Sequence, residues 1–326
     1  SNAYGDAPLE VRAARLARST ERDAIEAASD RPLSFGGSAS VTVPAGGDAL
    51  SDPIDFAVPA LAKVALSVAV GATPKAVTGH PGWRATAYLQ PGDATRSVSL
   101  AGAVAVEHGY FLAGIDVEAG EGSAAVAALG DSITDGRGST TDGFDRWTDV
   151  LAGRLQASPA TRRIAVLNQG IGGNAVLVGG LGPTASERFA RDVLGPTGVR
   201  WVVVFEGVND IGASRDGAVV GALVGAYRRF IASSHERGLR VYGAPILPFG
   251  GSQYANEGHE AARRAVNEWI RTSKAFDAVV DFDAAVRDAR DASRLDPAYD
   301  SGDHLHLNPA GYRALAEAVD PGLFTL

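Results

Sequence analysis

Gly130-Asp131-Ser132 stands where an apolar run, Ala124 to Leu129, gives way abruptly to polar and glycine residues. A buried parallel strand reads this way when it delivers a loop to the ligand-binding end of an α/β sheet, and that would place the Ser132 hydroxyl there. A serine hydroxyl is a weak nucleophile. A base, an acid to orient that base, and donors for an oxyanion must therefore come from elsewhere in the chain. Asp303-His304-Leu305-His306 offers the first two. An aspartate three residues before a histidine can turn back in a tight loop, accept from Nδ1–H and leave Nε2 facing the serine. His306 has Asp303 at that spacing, whereas the residue three before His304 is Ser301. His306 is the expected base, and His304 is expected to lack a positioned acid.

Two further blocks suit an oxyanion. Asn168-Gln169-Gly170-Ile171-Gly172-Gly173-Asn174 follows the run Ile164 to Leu167, and its glycines let the backbone approach a ligand and present N–H groups. Phe205-Glu206-Gly207-Val208-Asn209-Asp210 closes the strongest apolar run, Trp201 to Phe205. The Asn209 amide there is a neutral donor that can face developing negative charge without competing for the proton. Each block alone also reads as a turn. His304 and His306 at alternate positions raise a metal site, but no other histidine lies in a ligand-like cluster and no His-Glu-x-x-His run exists. No metal and no organic cofactor is expected. His80, His108, His235 and His259 read as surface or packing residues, with His259 the one to watch, because it follows a loop, Pro248 to Gly258, that leaves a strand end.

The elements that would position these residues alternate in type. After Ala119-Gly120-Glu121-Gly122, apolar strand runs at Ala124 to Leu129, Arg163 to Ile171, Trp201 to Gly207, Arg240 to Leu247 and Val279 to Phe282 are separated by helix-length segments. Val219, Leu223, Tyr227, Phe230 and Ile231 recur at helical spacing, as do Ala262, Val266, Trp269 and Ile270. This βαβ series predicts a mostly parallel sheet with helices on both faces. Before it the grammar is short and β-like, at 39–44, 54–58, 64–70, 84–90, 97–106 and 110–117, with turn clusters such as Gly46-Gly47-Asp48 and Pro91-Gly92-Asp93 between. That spacing predicts an antiparallel β-sandwich over residues 1–122, followed by a catalytic domain over 123–326. Residues 8–29 read both ways, helical by composition and strand-like by the alternation of Leu9, Val11 and Ala13.

The 326-residue chain is 45% apolar, carries a net charge of −8 spread along its length, and has no cysteine. Disulfides, thiolate catalysis and cysteine zinc sites are excluded together. No apolar stretch reaches the ~20 residues of a membrane span, and dispersed acidity argues against nucleic acid as partner.

The blocks around Ser132, Gly173, Asn209 and Asp303-His306, in that order, resemble the SGNH hydrolases, also called the GDSL esterase family. The resemblance covers about Ala124 to Leu326. It implies a flavodoxin-like three-layer α/β fold and a Ser132–His306–Asp303 triad. It further implies an oxyanion hole made of the Ser132 N–H, the Gly173 N–H and the Asn209 side chain. Gly172 is the alternative in that register; Gly173 aligns better because it directly precedes Asn174. Leu307-Asn308-Pro309 departs from the family, which has proline directly after the histidine. The β-rich front half, Trp201 to Gly212 and Glu260 to Asp283 are similar to the XynE-like branch, secreted bacterial esterases associated with acetylated xylan. In that comparison Leu9 to Ala17 is a strand, and the likeness of Asn2-Ala3-Tyr4-Gly5 implies that the sandwich lacks its opening strands.

The expected function is hydrolysis of short-chain esters, with O-acetyl groups of a polysaccharide as the substrate and a secreted or periplasmic location implied by the branch. The partner is an ester-bearing small molecule or polysaccharide, with no membrane insertion. The loops at 136–144, 176–183, 213–216 and 248–258 are polar and glycine-rich, with Val176, Leu177, Val178, Leu181, Phe144 and Phe249 as exceptions. A long acyl chain gains about 0.8 kcal/mol per buried methylene only where apolar walls receive it. The alternatives are a lipase, lysophospholipase or thioesterase, or a carbohydrate-binding protein without catalysis.

Overall fold

The computed structural model describes residues 1–215 and 219–325; Asp216, at the end of one of the expected loops, lies outside the described residues, as do Gly217, Ala218 and Leu326. The chain forms two compact units, Ser1–Ile115 and Asp116–Leu326.

The N-terminal unit is antiparallel. Its longest strand, β1 (Leu9–Arg18), pairs with β2 (Arg31–Pro32), β3 (Val41–Val43) and β4 (Val64–Val70). β4 runs along Val11 to Arg18, so β2 and β3 must share the other edge of β1, each at one end of it. The alternation of Leu9 and Val11 therefore belongs to a strand, and their side chains are buried with Ala14 and Val43. β5 (Gly79–His80) pairs with β8 (Gly109–Tyr110), and β6 (Ala87–Leu89) with β7 (Val104–Val106), as two small ribbons. No strand is present at 54–58, where Pro53 and Pro59 bracket the apolar run, and only the start of 110–117 is paired.

The second unit is built on five parallel strands: β9 (Ala124–Gly130), β10 (Ile164–Gly170), β11 (Val199–Phe205), β12 (Arg240–Gly243) and β13 (Ala278–Val279). They lie in the order β10-β9-β11-β12-β13, which is the doubly wound 2-1-3-4-5 arrangement. Buried side chains alternate along each strand. Ala125, Ala127, Leu129, Val202 and Val204 pack in one core with α3 (Ala185–Phe189), α5 (Val220–His235) and α6 (Glu257–Thr272). Val126, Ala128, Trp201, Val203 and Phe205 pack in the other, with α2 (Trp147–Gln156), α7 (Phe282–Val286) and α8 (Pro309–Ala318). Two one-sided helix layers on one sheet give the α/β fold expected from the alternating runs. The last strand is shorter than its sequence run, because Phe282 starts α7 and Asp281 caps it by accepting from the Ala284 N–H.

β9 lies between β10 and β11, so its carboxyl end is at the point where the strand order reverses. There the chain turns directly into α1 (Ser132–Asp135), a single helical turn. That turn folds across the end of β10, and only glycine fits beneath it: a Cβ on Gly170 would come within 2.2 Å of the Asp135 backbone nitrogen. A collision with backbone cannot be relieved by rotating a side chain. Gly170→Ala is expected to destabilise the fold by about 1–3 kcal/mol, the range for overpacking, and urea unfolding measures it; an unchanged midpoint would contradict this close packing.

Candidate active site

Ser132 is buried at the first position of α1, and the residue before it holds the turn in place, with Asp131 Oδ1 accepting from the Ile133 N–H at 2.9 Å. Ser132 Oγ lies 2.8 Å from His306 Nε2. His306 Nδ1 lies 2.7 Å from Asp303 Oδ2. The tight loop that makes this possible is held by Asp303 Oδ1, which accepts from the backbone N–H groups of Leu305 and His306 at 3.1 and 2.8 Å. Burial pushes the Asp303 carboxyl up, but the His306 N–H, the His306 ring and the Leu305 N–H outweigh it and bring it down to about 2. A carboxylate that stays ionised fixes the ring tautomer with the proton on Nδ1, so that Nε2 is free to accept from the serine.

The donor candidates gather above the same strand ends. Gly173 has φ +72°, a left-handed conformation that favours glycine. Among the described residues neither the Ser132 N–H nor the Gly173 N–H donates to a protein acceptor. Asn209 lies in α4 (Val208–Ala213), directly beyond β11, and its Nδ2 donates to the Asn174 carbonyl at 2.7 Å. That bond uses one of two amide hydrogens. Asp210 joins the same two blocks, because its carboxylate accepts from the Val176 and Leu177 N–H groups at 2.8 and 2.9 Å. Asn168 holds the other side: its Nδ2 donates to the Thr134 carbonyl at 2.7 Å, within the α1 turn that carries Ser132.

Beneath the loops lies a residue that the sequence reading passed over. Arg188 on α3 is wholly buried. Its Nε donates to Asn174 Oδ1 at 2.9 Å, Nη1 to the Gln169 carbonyl at 2.7 Å, and Nη2 to the Gly130 carbonyl at 3.0 Å. Glu206 Oε1 faces Nη2 at 3.5 Å. A signal existed, since Arg188 sits with Ala185, Phe189 and Val193 at helical spacing and so places a charge on an apolar stripe. Burial raises the carboxyls of Asp131, to about 7, and of Glu206, well above the usual range; neighbouring carboxylates push the same way and the Arg188 charge opposes them.

His304 corrects one expectation. It does have a positioned acid: Asp300, four residues back, whose Oδ2 lies 2.5 Å from His304 Nδ1. Asp300 Oδ1 also accepts from the His304 N–H at 3.0 Å, and His304 takes a left-handed φ of +61° in this turn. Its side chain is 49% exposed, against 6% for His306, and the contact to Ser132 belongs to His306. Among the described residues no three His, Asp or Glu side chains converge in a group able to hold a metal ion. His259, read as a packing histidine, is buried, and its two ring nitrogens reach the carbonyls of Tyr254 and Ser214 at 2.7 and 2.8 Å. No described helix is long and apolar enough to cross a membrane.

The profile of the GDSL-like Lipase/Acylhydrolase family matches residues 128–314, which contain every residue of this arrangement. No curated protein matches the chain. Similar solved structures include an acetyl xylan esterase from Geobacillus stearothermophilus (24% identity, 61% of this chain and 94% of that one, TM-score 0.45). They also include the aryl esterase of M. smegmatis (17%, 60% and 96%, TM-score 0.46) and a member of the lipolytic protein G-D-S-L family from Veillonella parvula (21%, 60% and 96%, TM-score 0.43).

The buried charge balance beneath the loops has a measurable sign. Asp131 and Glu206 bind protons more tightly in the folded than in the unfolded chain, so their contribution to stability falls as pH rises between the usual carboxylate range and about 7. Without Arg188 the cost of their charge is largest at high pH. Arg188→Met is expected to lose about 3–5 kcal/mol at pH 8, and the deficit should shrink at about pH 5.5, where the carboxyls take up protons. Unfolding at the two pH values measures this, and a deficit that grows on acidification would reverse the assignment.

Proposed function

We propose that this chain, which belongs to the GDSL-like lipase/acylhydrolase family, is a serine esterase that removes short acyl groups, acetyl above all, from hydroxyls of a polysaccharide such as xylan. The observation that carries this reading is the continuous line from Ser132 Oγ through His306 to Asp303, at 2.8 and 2.7 Å. In the proposed reaction His306 Nε2 takes the Oγ proton as Ser132 Oγ bonds to the ester carbonyl carbon, and the carbonyl electron pair moves onto oxygen. The Ser132 N–H, the Gly173 N–H and the Asn209 amide receive that oxyanion. Collapse breaks the bond to the alkoxy oxygen, which leaves with the proton held by His306. Water then attacks the acyl-enzyme, His306 takes its proton, and the second collapse returns that proton to Ser132 as the acid departs.

The choice of a short acyl group rests on the loops. Val178 and Leu181 are 81% and 66% exposed and Phe144 is 40% exposed, while Val176 and Phe249 are buried in the core. Side chains that stand in solvent or face the core offer a long chain little wall to lie against. The polysaccharide, the XynE-like branch and a secreted or periplasmic location belong together in this proposal, on the likeness of the front half and of Glu260 to Asp283 to that branch. One observation favours a longer acyl group: Leu181 lies against Gly173, where a Cβ would meet its side chain at 3.0 Å.

Two measurements follow. Ser132→Ala and His306→Ala should each lower turnover on the order of 10⁴-fold, because the members act as a unit. His304→Ala should remain within about tenfold, since its ring does not meet Ser132 and a group outside the reacting line carries only part of the rate. An inactive His304→Ala beside an active His306→Ala would exchange their roles. With p-nitrophenyl esters of increasing length, acetyl should have the highest kcat/KM, and acetylated xylan should release acetate; a preference for octanoyl would move the reading to a lipase.

A further inference from the structure

Asn209 can aim an N–H at an oxyanion only if its amide plane is fixed. One bond does part of this: Nδ2 donates to the Asn174 carbonyl. A planar amide held at one point still swings about its Cβ–Cγ bond. The second point comes from the 248–258 loop, outside the four blocks that carry Ser132, Gly173, Asn209 and His306. The Tyr254 hydroxyl donates to Asn209 Oδ1 at 3.0 Å. The Asn174 carbonyl forces the assignment, because turning the amide over would set Oδ1 against that carbonyl, acceptor on acceptor, whereas the hydroxyl can donate or accept. With both contacts made, the remaining Nδ2 hydrogen has one direction to point.

The tyrosine is itself built in. Its ring lies on Gly212, three residues after Asn209 on α4, so closely that a Cβ at Gly212 would come within 2.5 Å of ring atoms Cγ and Cδ2. The Tyr254 N–H donates to Ser252 Oγ at 3.1 Å, and its carbonyl is held by His259 Nδ1, whose ring reaches the Ser214 carbonyl at the other side. Thus the loop carrying Tyr254 is tied to the end of the helix carrying Asn209 at both the ring and the backbone. A residue that served packing alone would need the ring over Gly212 and would have no use for the hydroxyl on Oδ1.

We infer that Tyr254 is a positioning residue for the oxyanion donor Asn209, acting through its hydroxyl. The inference rests on the serine esterase reading above. Donation into Oδ1 also polarises the amide and strengthens its N–H groups as donors, so the loss should fall on the transition state rather than on ground-state binding.

The test is a double-mutant cycle on p-nitrophenyl acetate. Tyr254→Phe keeps the ring and removes the hydroxyl; it should lower kcat about tenfold, the scale of a small misplacement, with KM within about twofold. Asn209→Ala should lower kcat roughly 10²- to 10³-fold, and adding Tyr254→Phe to it should change kcat by less than about twofold. Gly212→Ala, which must push the ring aside, should reproduce the kcat loss of Tyr254→Phe. Equal losses from Tyr254→Phe with and without Asn209, or no loss with Asn209 present, would overturn the inference. The serine reading fails separately, if Ser132→Ala keeps the activity. In that event the side-chain amide ¹⁵N–¹H signals of Asn209 still decide: they should shift and broaden in Tyr254→Phe, and unchanged signals would overturn the positioning role.

Discussion

A guanidinium with no exposed surface must place its donors inside the protein, and Arg188 does so by reaching the ends of three strands at once. Its acceptors are the Gly130 carbonyl at the end of β9, the Gln169 carbonyl in β10, the Asn174 amide in the loop beyond it and Asp192 Oδ2 one turn further along the chain, while Glu206 faces it just past β11. The planar fork allows few arrangements of those acceptors. One side chain therefore sets the relative heights of the turns bearing Ser132, Gly173 and Asn209. The charge also matters. Asp131, Glu206 and Asp210 are all buried nearby, and their carboxyls are pushed upward chiefly by that burial.

From that centre the order is passed outward by amides. Asn174 accepts from Arg188 with its side chain, donates to the Leu181 and Pro183 carbonyls, and offers its own carbonyl to Asn209. Each link is a directed hydrogen bond between groups with few other options, which is how loops come to hold side chains as firmly as strands do. The histidine loop is tied differently. Ser301 N–H donates to the His306 carbonyl at 3.0 Å, and Asn308 reaches the Ala298 and Asp300 carbonyls before capping α8. Its geometry is local to one stretch of chain, and this is why the spacing of Asp303 and His306 could be read directly.

The contrast explains what was legible. Strand ends in the second unit were visible because an apolar run and the polar block after it are contiguous, and β9, β10 and β11 run close to those runs. The Tyr254–Asn209 bond joins residues 45 apart, and the Arg188 contacts span up to 58; no local pattern announces either. In the first unit alternation gave β4 its full extent, Val64–Val70, but a strand also needs a partner for its hydrogen bonds. At 84–90 and 97–106 only Ala87–Leu89 and Val104–Val106 pair as strands, with a single bridge from Ser99 to Ala24, and at 54–58 no partner is found. Apolar alternation states which face is buried and leaves the pairing open.

Two histidines in one turn each carry an aspartate on Nδ1, so the presence of an acid does not by itself mark a base. What separates them is what lies on the other nitrogen and how much water reaches the ring. His306 has Ser132 Oγ on Nε2 and a ring with almost no exposed surface. The His304 ring is half open to water over a largely buried Asp300, whereas the His306 ring is buried over a half-open Asp303, so the two pairs differ in which partner meets solvent. Between the two acids and His306, His304 adopts the left-handed conformation. A side chain at φ +61° is strained, and the strain sits in the turn that carries one exposed imidazole and one buried against Ser132.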